Sequence, residues 1–188
     1  MDSIWAIAIV AVALPIIAAL VFRRVAQDYT RIGRLTTTST VLQVAVFALH
    51  GAASYVFLDS RFTAVDTSSP LFGFAVILIA GGLVLLFSTM IHLGHKTVLG
   101  QEAPGLTCTR MYRHSRNPQL LFYGFVVVGY SLLWPSWTGV LWIVVYAVIG
   151  QMMVRTEEKH LESAYGEEYV EYCRITPRYV GAPGKKQD

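Results

Sequence analysis

Long uncharged stretches, separated by short charged segments, dominate the pattern of polar and apolar positions along this chain. A bilayer core about 30 Å thick needs roughly 20 helical residues to cross it, so each stretch of that length predicts a membrane-spanning helix. The uncharged stretches are 3–22, 40–58, 70–91 and 118–154. The pattern therefore predicts an all-α integral membrane protein.

The last stretch, 118–154, is too long for one helix and contains a break. Pro135 interrupts the helix, and the flanking residues Trp134 and Trp137 are typical of the membrane interface. We therefore interpret this stretch as a helical hairpin, which brings the number of transmembrane helices to five. The expected spans are 3–22, 40–58, 70–91, 118–133 and 136–154.

The composition supports this interpretation. Hydrophobic residues make up 54% of the chain and charged residues 14%, whereas an ordinary soluble domain has about 25% charged residues. The net charge of +3 is too small to indicate a nucleic-acid binder. Cys108 and Cys173 are far apart and form neither a zinc-ligand pattern nor a disulfide framework. We expect a single membrane domain over 1–188 with no metal site.

Positive charge is distributed unevenly between the two sides that five spans create. One side carries nearly all of the cations, whereas Arg61 lies alone on the other. By the positive-inside rule the basic side is the cytoplasm, so the N-terminus is predicted to lie outside a plasma (inner) membrane. The loop 92–117 and a short helical tail, 155–188, then face each other inside. Any chemistry is expected to be assembled from these segments and the adjacent helix ends.

Polar residues concentrate at two points of the predicted cytoplasmic side, 112–118 before the fourth span and 155–158 after the fifth. Pro118 suits the first position of a helix, so the backbone N–H groups beside Arg116 and Asn117 favour a carboxylate or phosphate. The two glutamates lie at the opposite end of the fifth span, where they are unfavourably placed unless a cation is bound. Together the two points predict a receptor for a zwitterion.

These residues also have purely structural explanations. Arg113 and Arg116 can anchor the chain to lipid phosphates. Glu157 and Glu158 can belong to the solvated face of a surface helix together with Lys159. The pairing of the glutamates with the arginine motif across the predicted hairpin favours a binding site over these alternatives.

His50 lies inside the second predicted span, where an ionisable residue suggests a function. Together with His92, at the end of the third span, it has the residue type that ligates a b-type haem. The two histidines lie at different depths, which argues against this site. We expect His50 to be neutral and hydrogen-bonded to a neighbouring helix.

The C-terminal half resembles the integral-membrane superfamily of isoprenylcysteine carboxyl methyltransferases and phospholipid N-methyltransferases. The residues that match its motifs, in order, are Tyr112, Arg116-Asn117-Pro118, Gly124, Glu157-Glu158, Leu161, Tyr165-Gly166, Tyr169, Tyr172 and Pro177-Arg178. The departures, which affect the cofactor and substrate pocket and not the fold, are Asn117 for histidine, Leu120 for tyrosine, Arg110 for glycine and Pro104 for histidine.

The resemblance implies S-adenosylmethionine as the cofactor on the cytoplasmic side, and a lipophilic small molecule or lipid as the acceptor, reached through the bilayer. The expected cofactor-binding residues are Tyr112, Arg116, Asn117, Pro118, Glu157 and Glu158. Arg174 or Arg178 is expected to orient a carboxylate or thiolate acceptor. An amine acceptor needs a base instead, for which His114, His160 or a glutamate is the candidate.

The expected function is methyl transfer to a lipophilic acceptor, with a prenylcysteine carboxylate favoured and a phospholipid amine or a small thiol as alternatives. Two other classes of function stay open at this point. One is an NADPH-dependent membrane reductase, because sterol reductases are similar in the same hairpin region. The other is a non-enzymatic membrane protein such as a haem carrier.

Overall fold

The computed structural model describes residues 2–58, 64–93 and 110–181, and these residues form helices and connections without a strand. The helices are α1 (Asp2–Ile32), α2 (Thr37–Phe57), α3 (Pro70–Leu93), a 3-10 helix (Arg110–Arg113), α4 (Pro118–Leu132), α5 (Trp137–Tyr165) and α6 (Glu167–Ile175). Of the predicted cytoplasmic segments, 94–109, with Pro104 and Cys108, and 182–188 lie outside the described residues.

The predicted all-α membrane fold is confirmed. Four helices, α1, α2, α3 and α5, are long and apolar enough to cross a membrane, and α4 is a shorter apolar helix. The chain is therefore an integral membrane protein, and the five apolar helices predicted from the sequence are all present.

Two helices are longer than the uncharged stretches that predicted them. The first, α1, continues past Arg23 and Arg24 to Ile32, and α5 continues past the end of its apolar part to Tyr165. Loss of hydropathy marks the edge of the membrane, whereas arginine, glutamate and lysine are good helix formers that let the helix continue into water. The prediction that the pair 157–158 lies at a helix end is wrong, because the pair is inside α5.

The predicted hairpin is present between α4 and α5. Pro118 is at the first position of α4, as expected, and Pro135 lies in the break between the two helices. The Ser136 hydroxyl caps α5 by accepting a hydrogen bond from the Gly139 amide at 3.0 Å. Trp137, at the start of α5, is 89% exposed, which suits a side chain at the membrane interface.

The helices pack as two connected groups. In one group α1 lies against α2 and α5, and in the other α3 lies against α4, while α4 also contacts α5. The buried side chains of the larger group include Phe22, Val25, Val46, Phe57, Trp142 and Ile149. Because α4 belongs to both groups, its position decides how the whole bundle is assembled.

His50 is fully buried between α2 and α5. Its ring stacks on the indole of Trp142, with a centroid distance of 4.8 Å, and its Nε2 atom lies 3.1 Å from the Trp142 carbonyl oxygen. In return, the Trp142 indole N–H donates to the His50 carbonyl oxygen at 2.9 Å. The predicted hydrogen bond to a neighbouring helix is confirmed, and it fixes α2 against α5 inside the apolar layer. His92 instead places its Nδ1 atom 2.7 Å from the Ser88 carbonyl oxygen of its own helix.

Glycines let α3 and α4 approach each other closely. A Cβ atom on Gly82 would lie 2.8 Å from the Phe122 carbonyl oxygen, and one on Gly129 would lie 2.9 Å from the Ala75 carbonyl oxygen. Both contacts are too short for a side chain, so the two backbones pack directly. A Cβ atom on the adjacent Gly81 would meet nothing within 4 Å.

We expect Gly82→Ala to lower the free energy of unfolding by about 1–3 kcal/mol, because α3 and α4 must separate to make room for the methyl group. Gly81→Ala is the matched control and should change it by less than about 0.5 kcal/mol, because its methyl group enters open space. Thermal unfolding in the same detergent measures both variants. Equal destabilisation would contradict the direct packing of the two backbones.

Candidate functional site

The carboxylate of Glu158 on α5 is the centre of a charged network at one end of the bundle. Its Oε1 atom accepts hydrogen bonds from Nη1 of Arg116 at 3.0 Å and from Nε of Arg178 at 2.9 Å. Its Oε2 atom accepts a further bond from Nη2 of Arg178 at 2.6 Å. The side chains of Glu158 and Arg116 are only 16% and 13% exposed, whereas that of Arg178 is 44% exposed. Donation to Glu158 raises the pKa of the Arg178 guanidinium.

The inner face of α6 completes this network. Nη1 of Arg116 also lies 2.7 Å from the Sγ atom of Cys173. The Tyr169 hydroxyl shares hydrogen bonds with both groups, and burial raises the pKa of this phenol. Tyr172, on the same face, is buried and donates from its hydroxyl to the Tyr112 carbonyl oxygen at 2.8 Å. The aromatic stripe of α6 therefore packs onto the charged network and closes one side of it.

The C-terminal strap, residues 177–179, is bound to the start of α4. The Arg116 amide donates to the Pro177 carbonyl oxygen at 2.9 Å, and Nδ2 of Asn117 donates to the Arg178 carbonyl oxygen at 3.0 Å. From the sequence, these groups are expected to hold the carboxylate of a ligand. In the structure they hold the C-terminal strap of the same chain.

Glu157 faces a different side of α5 from Glu158. The side-chain amide of Gln43 on α2 hydrogen-bonds to Glu157. Burial and the negative charge of Glu157 together raise the pKa of the Tyr112 phenol. The two adjacent glutamates thus have different partners, because successive residues on a helix point about 100° apart. We refer to Glu157, Gln43 and Tyr112 as the Glu157 cluster.

Unpaired polar atoms gather at this end of the bundle. Within the part of the chain that the structure describes, the buried side-chain nitrogen and oxygen atoms without a hydrogen-bond partner are Gln43 Oε1, Arg116 Nε, Gln119 Nε2 and His50 Nδ1. Buried polar groups are normally paired, so such atoms indicate where a ligand can bind. The first three lie at the charged end and comprise one acceptor and two donors. Donors beside acceptors suit a zwitterion.

The structure does not bring all of the predicted site residues together. His114 is exposed and follows the 3-10 helix, and the Arg174 guanidinium lies 3.4 Å from the Glu171 carboxylate on the exposed side of α6. The catalytic roles of these two residues stay predictions. Leu120, one of the departures from the family motif, packs against α5 at Gly150. The side chain of Arg110 and the whole of Pro104 lie outside the described residues.

Some residues of the site were not predicted from the sequence. Gln43 lies within one of the uncharged stretches, and Gln119 follows the first residue of another. A polar side chain in such a stretch is a signal that it has a specific partner, and this signal was available. The contact of Cys173 with Arg116 has no comparable signal, because it joins residues far apart in the sequence.

Comparison with known proteins identifies one family. Residues 71–168, more than half of the chain, match the family model described as phospholipid methyltransferase. The matched range includes Arg116, Glu157 and Glu158, whereas the C-terminal strap lies beyond it. Searches of the curated proteins and of the solved structures give no significant match.

We expect Glu158→Gln to lower the free energy of unfolding by about 2–3 kcal/mol, because it leaves the largely buried Arg116 guanidinium without its counter-charge. Glu162→Gln, one turn further along α5 and exposed, is the matched control and should change it by less than about 0.5 kcal/mol. Thermal unfolding in one detergent compares the two variants. A Glu158→Gln protein as stable as the control would mean that the ion pairs contribute nothing net.

Proposed function

The chain belongs to the phospholipid methyltransferase family, and from this membership we propose that it transfers a methyl group from S-adenosylmethionine to a lipophilic acceptor. Family membership shows the class of the protein, a membrane methyltransferase. It does not by itself identify the cofactor or the acceptor. The observation that carries the proposal is the set of unpaired buried polar atoms at the charged end of the bundle, one of which belongs to Gln43, the hydrogen-bond partner of Glu157.

The residues at the charged end fit the amino-acid part of this cofactor, which carries an ammonium and a carboxylate group. Glu157 and the Oε1 atom of Gln43 are acceptors for the ammonium, and Nε of Arg116 and Nε2 of Gln119 are donors for the carboxylate. Glu158 is already neutralised by two guanidinium groups. We therefore assign Glu158 to positioning Arg116 and Glu157 to contact with the cofactor.

S-adenosylmethionine, when bound, supplies a methyl group that is activated by the positive charge on its sulfur. The protein needs no covalent nucleophile for this chemistry. Its contribution is to hold the two reactants in line and to exclude water, which favours a displacement in which the positive charge leaves the sulfur. The Tyr112 ring, next to Glu157, suits a neighbouring cation through its aromatic face.

Among acceptors, the contacts favour an amine over a carboxylate. A prenylcysteine carboxylate requires a free cation to orient it, and Arg178, the candidate for this role, donates from both Nε and Nη2 to Glu158. A phospholipid amine requires a base to take up its proton. His160 lies one helical turn from Glu157 and stacks on Tyr29 at a centroid distance of 4.0 Å. We propose His160 as this base.

The site is assigned to the cytoplasmic side of the membrane, with the N-terminus outside. The support is the distribution of charge at the ends of the apolar stretches. Arg23 and Arg24 follow the apolar part of α1, Arg155 follows that of α5, and Arg113 and Arg116 precede α4. By the positive-inside rule these ends face the cytoplasm.

We expect the detergent-solubilised protein to bind S-adenosylhomocysteine in isothermal titration and not to bind NADPH. Glu157→Gln should weaken the affinity at least tenfold, because an amide no longer balances the ammonium charge. Glu167→Gln, which is exposed at the start of α6, should leave the affinity within twofold. Binding of NADPH alone by the folded protein would favour a reductase, and binding of neither ligand would reject the enzyme proposed here.

A further inference from the structure

The C-terminal strap has a second attachment, which lies at a different depth from the first. The Tyr179 hydroxyl donates to Oε1 of Gln151 on α5 at 3.0 Å, while Arg178 binds Glu158. Gln151 and Glu158 are seven residues apart on one face of the helix, so the two attachment points are about 10 Å apart along α5. The side chains of these two adjacent strap residues therefore reach different levels of α5.

The Tyr179 attachment lies within the apolar layer. Gln151 belongs to the uncharged stretch that ends at Val154, whereas Glu158 lies beyond it. Val180, the residue that follows the strap, is 75% exposed, which suits a side chain that faces lipid. One strap side chain thus binds the charged end of the bundle, and the next one binds the uncharged part of α5.

The strap also bridges the two helices that carry the candidate site. Its carbonyl groups accept from Arg116 and Asn117 at the start of α4, and its side chains bind α5. It therefore bridges the start of α4 and the side of α5 that carries Gln151 and Glu158. The unpaired donors of Arg116 and Gln119 belong to the same end of α4.

The attachments differ in strength. Arg178 and Glu158 form a charge-assisted, two-point contact, whereas Tyr179 and Gln151 form a single neutral hydrogen bond. Charge-assisted hydrogen bonds are roughly twice as strong as neutral ones. The long Arg178 side chain can therefore keep the strap tethered to α5 while the Tyr179 contact opens.

We propose that the Tyr179–Gln151 hydrogen bond is the latch of a lateral gate, through which the chains of a lipophilic acceptor pass from the bilayer to the site. When the latch opens, the strap also gives up the contacts of its carbonyl groups with Arg116 and Asn117. It then lifts from the seam between α4 and α5 and stays tethered by the side chain of Arg178. This inference rests on the proposed function, and it makes Tyr179 and Gln151 positioning residues for the acceptor and not for the cofactor.

Hydrogen exchange tests the gate without any acceptor. The Arg116 amide donates to the strap, so its exchange rate reports how often the strap lifts. In lipid nanodiscs, Tyr179→Phe and Gln151→Leu should each speed exchange of peptides that contain this amide at least threefold, and the double variant should add little to either. Tyr165→Phe, at the end of α5, is the matched control and should not change the rate. Unchanged exchange in the latch variants would overturn the proposal.

Kinetics and binding then separate a gate from a structural part of the cofactor site. With dioleoylphosphatidylethanolamine in mixed micelles as the probe, Tyr179→Phe should lower KM at least threefold at constant kcat, because a larger fraction of the protein is open. Its affinity for S-adenosylhomocysteine should stay within twofold of that of the natural chain. A fall in this affinity that matches the rise in exchange would overturn the gate.

The proposed methyl transfer and the proposed gate can be rejected independently. If the natural chain does not bind S-adenosylhomocysteine, the proposed function is rejected, whereas the exchange rates still decide whether the strap is latched by Tyr179. If S-adenosylhomocysteine binds but the hydrogen-exchange rate is the same in all variants, the proposed function stands and the gate is rejected.

Discussion

The carboxylate of Glu158, shared by the guanidinium groups of Arg116 and Arg178, is the interaction on which the charged end of the bundle depends. It joins α5, the start of α4 and the C-terminal strap, which are far apart in the sequence. Because Glu158 and Arg116 are largely buried, neither charge is stable there without the other. This contact explains why the strap reaches the start of α4, and why Cys173 and Tyr169 on α6 are packed against the same guanidinium.

The apolar layer imposes a second constraint, because water is not available there to satisfy polar groups. His50 forms reciprocal hydrogen bonds with Trp142. The side chain of Gln151 accepts a hydrogen bond from the Tyr179 hydroxyl. Between α3 and α4 the chain avoids polar contacts and uses Gly82 and Gly129 to bring the backbones together. These contacts hold α4, which Arg116 precedes and whose first turn carries Gln119, in a fixed place relative to α5.

The adjacent glutamates of α5 illustrate how one helix serves two functions. Glu158 is consumed by contacts within the protein, whereas Glu157 faces Gln43 and Tyr112 beside unpaired polar atoms. The proposed methyl transfer uses the first to hold the site in shape and the second to bind the charged end of the cofactor. The strap, which binds both Glu158 and Gln151 of α5, is the proposed connection between this site and the bilayer.

The sequence by itself determined the all-α membrane fold, the break at Pro135 and the start of α4 at Pro118, because hydropathy and proline geometry act locally. It also indicated that His50 needs a partner on a neighbouring helix. Only the tertiary structure decided which of Gly81 and Gly82 is packed, which glutamate meets the arginines, and that Asn117 holds the strap. These choices depend on helix rotation and on contacts between residues far apart in the chain, and no local pattern encodes them.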